Sequence, residues 1–75
     1  MENKIIKILK KTKPNINFLK NKKDLIKKSI LDSFDLVTII SEIEKAFNIN
    51  IKANDIIAKN FDSISKIVKL VKKYI

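Results

Sequence analysis

The sequence predicts a small all-α domain, a four-helix bundle of three main helices plus a short third helix, with a long loop between the first and second. Apolar residues recur at steps of three and four in three segments, and residues typical of helix N-caps precede these segments. A hydrophobic content of 45% beside 33% charged residues is enough for a packed core. We therefore expect residues 1–75 to form a single domain.

The first helix is predicted over residues 3–12, with Asn3 as its N-cap and Pro14 just beyond its end. Its apolar face should be buried and its lysine face exposed. The next segment, residues 13–31, has no sustained period, and an unstructured connection of this length is usually functional. One helical turn is expected near residues 24–28, and five apolar residues should anchor the loop to the core: Phe18, Leu25, Ile26, Ile30 and Leu31.

The segment Ser33–Phe47 is predicted to be the main helix. Asp32 or Ser33 provides its N-cap, and Asn48 follows where a left-handed residue commonly ends a helix. Its apolar stripe consists of Leu36, Ile40, Ile43 and Phe47. Phe34 lies away from this stripe on the helical wheel, so it either packs under the loop or is presented to a partner.

Two shorter helical segments complete the predicted bundle. Asn54 or Asp55 should open a helical piece of one or two turns that carries Ile56 and Ile57. The pair Asp62-Ser63 is a further N-cap signal for the last helix. The apolar stripe of that helix is predicted to be Ile64, Ile67, Val68, Val71 and Ile75.

The composition excludes several functional classes, because the chain contains no Gly, Cys or His. The glycine loops of nucleotide-binding motifs, the usual zinc sites and histidine-based triads all need these residues. We therefore predict no catalytic residue and no metal ligand. No apolar run exceeds three residues, so we expect neither a membrane span nor a signal-peptide core, and we expect a cytoplasmic protein.

The net charge of +9 raises the alternative of a lysine-rich helical protein that binds anionic membranes or nucleic acid nonspecifically. All the basic residues are lysines, and the absence of arginine argues against specific nucleic-acid recognition. The abundance of Lys, Ile and Asn also fits A/T-rich codon usage. Residues 29–62 form an acidic island within the basic chain and contain the main predicted helix.

Three motifs together resemble the acyl carrier protein family. They are residues 30–37 (ILDSFDLV), residues 42–51 (EIEKAFNINI) and residues 60–64 (NFDSI), and the similarity extends over residues 25–75. The resemblance implies a four-helix bundle of acyl-carrier type in which the Ser33 hydroxyl is esterified by 4'-phosphopantetheine from coenzyme A. It implies a carrier rather than an enzyme, because the phosphopantetheinyl transferase supplies its own Mg²⁺ and catalytic groups.

The resemblance also implies partners and binding residues. The cargo would be an acyl or aminoacyl thioester, exchanged with adenylating ligases or synthases of fatty acid, nonribosomal or teichoic acid biosynthesis, by a carrier that works as a monomer. The residues that would bind partners are Asp32, Phe34, Asp35, Glu42 and Glu44. Those that would line an acyl pocket, if they are not ordinary core residues, are Ile40, Ile43, Ile56 and Ile57.

The chain departs from the family pattern at several positions. Ser29 is the nearest small residue where a glycine is often found before the Asp-Ser pair, and Phe34 replaces the commoner leucine. Two further alternatives stay open at this point. In one, Ser33 is never modified and the chain is a helical adaptor. In the other, the many exposed lysines of the chain select partners with acidic docking sites.

Overall fold

The computed structural model describes residues 1–75 and contains four α-helices and no strand. The helices are α1 (Glu2–Thr12), α2 (Ser33–Phe47), α3 (Ala58–Phe61) and α4 (Ile64–Lys72). A short 3₁₀ turn, Ala53–Asp55, precedes α3. The predicted all-α fold, with three main helices and a short third one, is confirmed.

One apolar core holds the helices together. Helix α1 packs against both α2 and α4, and α3 packs against α4. The buried residues of α1 are Ile5, Ile8 and Leu9, which is the face that the sequence predicted. The fully buried side chains that complete the centre of the core are Leu25, Leu31, Ile39, Ile43, Phe61, Ile64, Ile67 and Val71.

The boundaries of α2 match the prediction, because local signals define both ends. Asp32 is the N-cap, and Asn48 ends the helix in the left-handed conformation with φ 54° and ψ 52°. Within the helix, Ile39 and Ile43 are the buried residues, whereas Leu36, Ile40 and Phe47 are only partly buried. The predicted stripe therefore contains one of the two buried residues, Ile43, and borders the other, Ile39.

Three details of the predicted helices are wrong: the start of α1, the position of the Ile56-Ile57 segment, and the end of α4, which is described in the next paragraph. Helix α1 begins at Glu2 rather than after Asn3, because the Met1 carbonyl accepts hydrogen bonds from the amides of Lys4 and Ile5. Ile56 and Ile57 lie between the 3₁₀ turn and α3 rather than inside a helix.

At the C-terminus, α4 stops at Lys72 and Ile75 is 66% exposed instead of joining the core stripe. The Tyr74 hydroxyl, next to Ile75, donates a hydrogen bond to the Asp55 carboxylate and accepts one from the Lys52 amide at 3.0 Å. These contacts fix the C-terminal residues against the 3₁₀ turn.

The long loop, residues 13–32, is anchored to the core by Phe18, Leu25 and Leu31, all of which are buried. Ile26 and Ile30 are partly buried against the core. The single helical turn expected near residues 24–28 is present, with the Lys28 amide donating to the Asp24 carbonyl at 2.9 Å. The loop thus has a defined path that leads directly to the start of α2.

Candidate functional site

Ser33 is the first residue of α2, and its side chain is exposed. Its hydroxyl makes no hydrogen bond within the protein. The preceding residue, Asp32, accepts a hydrogen bond from the Asp35 amide at 3.0 Å, and the Asp35 carboxylate accepts one from the Asp32 amide at 3.0 Å. This reciprocal capping box fixes where the helix begins. Ser33 is therefore held rigidly by its backbone while its hydroxyl is free to react.

The start of α2 favours an anion on Ser33. The hydrogen bond from the Asp35 amide holds the pKa of Asp32 below its ordinary value, and the positive charge of Lys13 acts in the same direction. The Ser33 amide N–H has no partner within the protein. An unpaired amide at the positive end of a helix dipole stabilises nearby negative charge. The free amide and the helix dipole would therefore stabilise a phosphate ester on the hydroxyl and oppose the repulsion from the Asp32 and Asp35 carboxylates.

The loop before Ser33 is fastened to the junction between α3 and α4. The Leu25 amide donates to the Asp62 carbonyl at 2.8 Å, and the Ile64 amide donates to the Lys22 carbonyl at 2.9 Å. The Leu31 amide in turn donates to the Leu25 carbonyl at 2.9 Å. These bonds connect the residues just before Ser33 to the α3–α4 junction.

Asp62 is a positioning residue for this loop that the sequence did not identify. Its Oδ1 atom accepts hydrogen bonds from the amides of Lys27 at 3.1 Å and Ile26 at 2.9 Å. These two bonds lower the pKa of the Asp62 carboxyl. Ser63, and not Asp62, caps α4, because its Oγ atom accepts from the Lys66 amide at 3.1 Å. The Asp-Ser pair signalled a helix start but gave no sign of the long-range role.

Ser29 takes the left-handed conformation, with φ 58°. Ser29 is the small residue nearest to the place where members of the family often have a glycine before the Asp-Ser pair. Glycine populates this region without the steric cost that a Cβ atom adds. The backbone of this chain therefore keeps a glycine-like bend without a glycine.

Two apolar side chains of α2 are exposed close to Ser33. Phe34 is 85% exposed and Val37 is 70% exposed. Of the two arrangements that the sequence left open for Phe34, the structure has the exposed one. Val37 was not singled out from the sequence, although its spacing of three from Phe34 puts both on one side of the helix.

The acidic residues expected to meet partners are largely engaged within the protein. The Asp35 carboxylate lies 3.2 Å from Lys13 Nζ and takes part in the capping box. Glu42 lies 3.6 Å from Lys11 Nζ. The Glu44 carboxylate accepts a hydrogen bond from the Ile51 amide at 2.9 Å. Asp32 is exposed, and partner binding by all four stays a prediction.

The four residues expected to line an acyl pocket are not gathered around a cavity. Ile43 is fully buried and Ile40 partly buried, whereas Ile56 and Ile57 are 41% and 46% exposed. None of the five main cavities has any of these side chains in its wall. A pocket for cargo at this place would need the side chains to move apart, and it stays a prediction.

No helix combines the length and the apolar character needed to cross a bilayer. The longest, α2, has 15 residues.

A family model described as the phosphopantetheine attachment site matches residues 26–71. Comparisons with curated proteins and with solved structures gave no match. The matched region covers the last part of the loop from residue 26, α2, α3 and nearly all of α4. The family is defined by its 4'-phosphopantetheine cofactor, and an exposed serine at a helix N-terminus with an unpaired amide fits a phosphate ester. The chain belongs to the acyl carrier protein family of phosphopantetheine-dependent carriers.

Proposed function

We propose that this protein carries acyl or aminoacyl groups as thioesters on a 4'-phosphopantetheine arm attached to the Oγ atom of Ser33. The observation that carries the proposal is the position of Ser33. It is an exposed serine at the first residue of α2, with a hydroxyl free of hydrogen bonds inside the protein. When bound, the arm supplies a terminal thiol, and the protein itself supplies only the attachment point and its surroundings.

Each neighbouring residue has a separate task in this proposal. The Ser33 hydroxyl gives up its proton to a base of the transferase and attacks the pantetheine-bearing phosphorus of coenzyme A; the pyrophosphate P–O bond breaks, 3',5'-adenosine diphosphate leaves with the Mg²⁺ of the transferase, and a phosphodiester remains on Ser33. The unpaired Ser33 amide stabilises the phosphate charge. Asp32 and Asp35 keep the helix start in place through the capping box. Asp62 holds the preceding loop against the junction of α3 and α4.

We propose that partner enzymes approach the side of α2 that carries Phe34. These partners are a phosphopantetheinyl transferase and the adenylating ligase or synthase that loads and unloads the cargo. Phe34 and Asp32 offer an exposed ring and an exposed carboxylate next to the arm. Asp35, Glu42 and Glu44 would contribute only if partners displace their internal contacts. Displacing the surface ion pair of Glu42 with Lys11 would cost little, because such pairs are worth about 0–1 kcal/mol. Displacing Asp35 or Glu44 would also break a hydrogen bond to a backbone amide.

The same proposal places the protein in the cytoplasm, where coenzyme A and ATP serve the loading enzymes. It includes a site for an apolar cargo between Ile40 and Ile43 of α2 and the Ile56-Ile57 segment, opened by side-chain movement. The partial exposure of Ile56 and Ile57 supports this, because residues at the edge of the core move at lower cost than fully buried ones.

The test is intact-protein mass spectrometry after incubation with coenzyme A, Mg²⁺ and a broad-specificity phosphopantetheinyl transferase. The wild type should gain the mass of one phosphopantetheine, and Ser33→Ala should gain none. Ser41→Ala is the matched control, because Ser41 is a second exposed serine of α2, and this variant should be modified like the wild type. A wild type that stays unmodified by several transferases and in its native host would refute the proposal.

A further inference from the structure

A lysine-lined groove lies between α3 and α4. Its volume is about 300 Å³, and Leu70 is the one hydrophobic residue in its wall. Lys66 and Lys69 are three residues apart on α4, so both lie on the same side of that helix. The complete wall is Asp55, Lys59, Asn60, Lys66, Lys69, Leu70 and Lys73.

Most of the positive charge in this groove is not neutralised within the protein. Lys73 is paired with Asp55, with Nζ 3.0 Å from Oδ1. Lys59, Lys66 and Lys69 have no carboxylate within ion-pair distance. The groove therefore presents three free ammonium groups in one concave surface.

The groove continues toward the loop that leads to Ser33. Lys59 also lines a second, smaller cavity, whose other wall residues include Lys27 of the loop and Asp62. The Asp62 carboxylate accepts hydrogen bonds from amides of the loop. The positive charges of Lys66 and Lys27 are close enough to lower the pKa of this carboxyl further. We call the surface formed by Lys27, Lys59, Lys66 and Lys69 the lysine surface.

The acidic face of α2 offers a partner much less net charge. Asp35 and Glu42 are each paired with a lysine from outside α2, namely Lys13 and Lys11. These two pairs leave Asp32 and Glu44 as the carboxylates of α2 and its N-cap without a lysine partner. The larger net charge of the two surfaces is therefore carried by Lys27, Lys59, Lys66 and Lys69, which have no ion-pair partner and surround the single carboxylate of Asp62.

We propose that the lysine surface is a docking site for a cluster of carboxylates on the enzyme that loads or unloads the arm. This inference rests on the proposed function of Ser33, since it assigns the docking site to partners of the same arm. Complementary charge steers a partner into position and fixes its orientation. A partner of this carrier should thus present acidic residues to α3 and α4, together with an apolar surface for Phe34.

A protein partner fits the surface better than a membrane or a nucleic acid does. Membrane-bound amphipathic helices insert an apolar face, but that of α4 is committed to the core through Ile64, Ile67, Leu70 and Val71. Nucleic-acid surfaces favour arginine for bidentate phosphate contacts, and the chain has none. A concave site of this volume suits a few carboxylate side chains.

The experiment is a titration of the ¹⁵N-labelled full-length protein with a short synthetic peptide rich in glutamate, followed by NMR. Parallel titrations use a glutamine-rich peptide, phosphatidylglycerol vesicles and a single-stranded DNA oligonucleotide. The test variant is Lys66→Glu with Lys69→Glu. The control is Lys7→Glu with Lys72→Glu, which changes two exposed helix lysines outside the groove and gives the same net charge.

We expect the glutamate peptide to shift the amide signals of Lys27, Lys59, Lys66 and Lys69. Affinity should fall about tenfold in the test variant and less than about twofold in the control. Equal loss in both variants, or signal changes spread over all lysines, would overturn the proposal. So would tighter binding of vesicles or DNA at the same amides.

The modification of Ser33 is measured separately by mass. If Ser33 is modified but the peptide does not bind the groove, only the docking proposal fails. If the peptide binds while Ser33 stays unmodified, the proposed function fails, and with it the assignment of the partner as an enzyme that serves the arm.

Discussion

The carboxylate of Asp62 accepts a hydrogen bond of 2.9 Å from the amide of Ile26, which lies 36 positions earlier in the chain. The neighbouring Lys27 amide donates to the same oxygen atom. These two bonds, together with the backbone bonds of Leu25 and Lys22, fasten the loop that leads to Ser33 to the junction between α3 and α4.

Replacing Asp62 with alanine should loosen this loop without unfolding the helices. The Ile26 and Lys27 amides lose their acceptor, so we expect their hydrogen exchange to accelerate by roughly tenfold while exchange within α2 changes little. Exchange measured by NMR tests this. Asp62→Asn keeps a neutral acceptor and should have an intermediate effect; unchanged exchange in Asp62→Ala would contradict the positioning role.

Phe34→Ala should impair docking without affecting stability. Because the ring is 85% exposed, the free energy of unfolding should change by less than about 0.5 kcal/mol. The rate of Ser33 modification at limiting carrier concentration should fall roughly tenfold if the ring contacts the transferase. The buried control Phe61→Ala should instead lose about 3–5 kcal/mol of stability. Urea unfolding and mass-based rates measure the two effects, and an unaltered modification rate would remove Phe34 from this interface.

Ser29→Gly should stabilise the protein. A left-handed residue with a Cβ atom costs about 1–2 kcal/mol, and glycine adds a penalty of about 0.5–1 kcal/mol through the unfolded chain, so the net gain should be about 0.5–1 kcal/mol. The matched change Ser41→Gly, inside α2, should cost about 0.5 kcal/mol. Thermal or urea unfolding compares the two, and the prediction fails if both glycines destabilise.

Acid should destabilise the fold. The pKa values of Asp32, Asp55 and Asp62 lie below the ordinary 3.8, chiefly because of hydrogen bonds from the Asp35 amide, the Tyr74 hydroxyl and the Lys27 amide respectively. Since each folded pKa is below the unfolded one, the unfolded chain binds more protons as the pH drops. The stabilisation is thus complete above about pH 5 and is lost as the pH falls through the folded values.

Urea unfolding at several pH values between about 7 and 3 measures this loss. Asp62→Asn removes one of the three groups, so its stability should decrease less steeply with acid than that of the wild type. If the free energy of unfolding of the wild type increased as the pH falls, the lowered pKa values of these three carboxyls would be contradicted.

The sequence predicted those parts of the site that depend on neighbouring residues. The bounds of α2 follow from Asp32 and Asn48, and the position of Ser33 follows from the same local signals. The family resemblance, drawn from the same stretch, is confirmed by the match over residues 26–71.

Features that depend on distant contacts were missed. The Asp62 carboxylate could not be paired with the Ile26 amide without knowing how the loop folds back. The third helix was predicted to begin at Asn54 or Asp55, before its observed start at Ala58. Asp55 instead contacts Lys73 and Tyr74, which lie far from it in the sequence, so no local pattern could indicate these contacts. The pairing of Lys13 with Asp35, which neutralises part of the acidic face of α2, also lies beyond any local pattern.

The bonds that join Lys22 to Ile64 and Leu25 to Asp62 also govern when the site can form during synthesis. A nascent chain that ends before residue 62 already contains Ser33, Asp32 and the whole of α2, but it lacks the residues that hold the preceding loop. Ser33 is thus synthesised early, whereas the loop before it can take its folded position only after Asp62 and Ile64 have been synthesised. We expect an enzyme that recognises the folded surroundings of Ser33 to act only after Asp62 and Ile64 have left the ribosome.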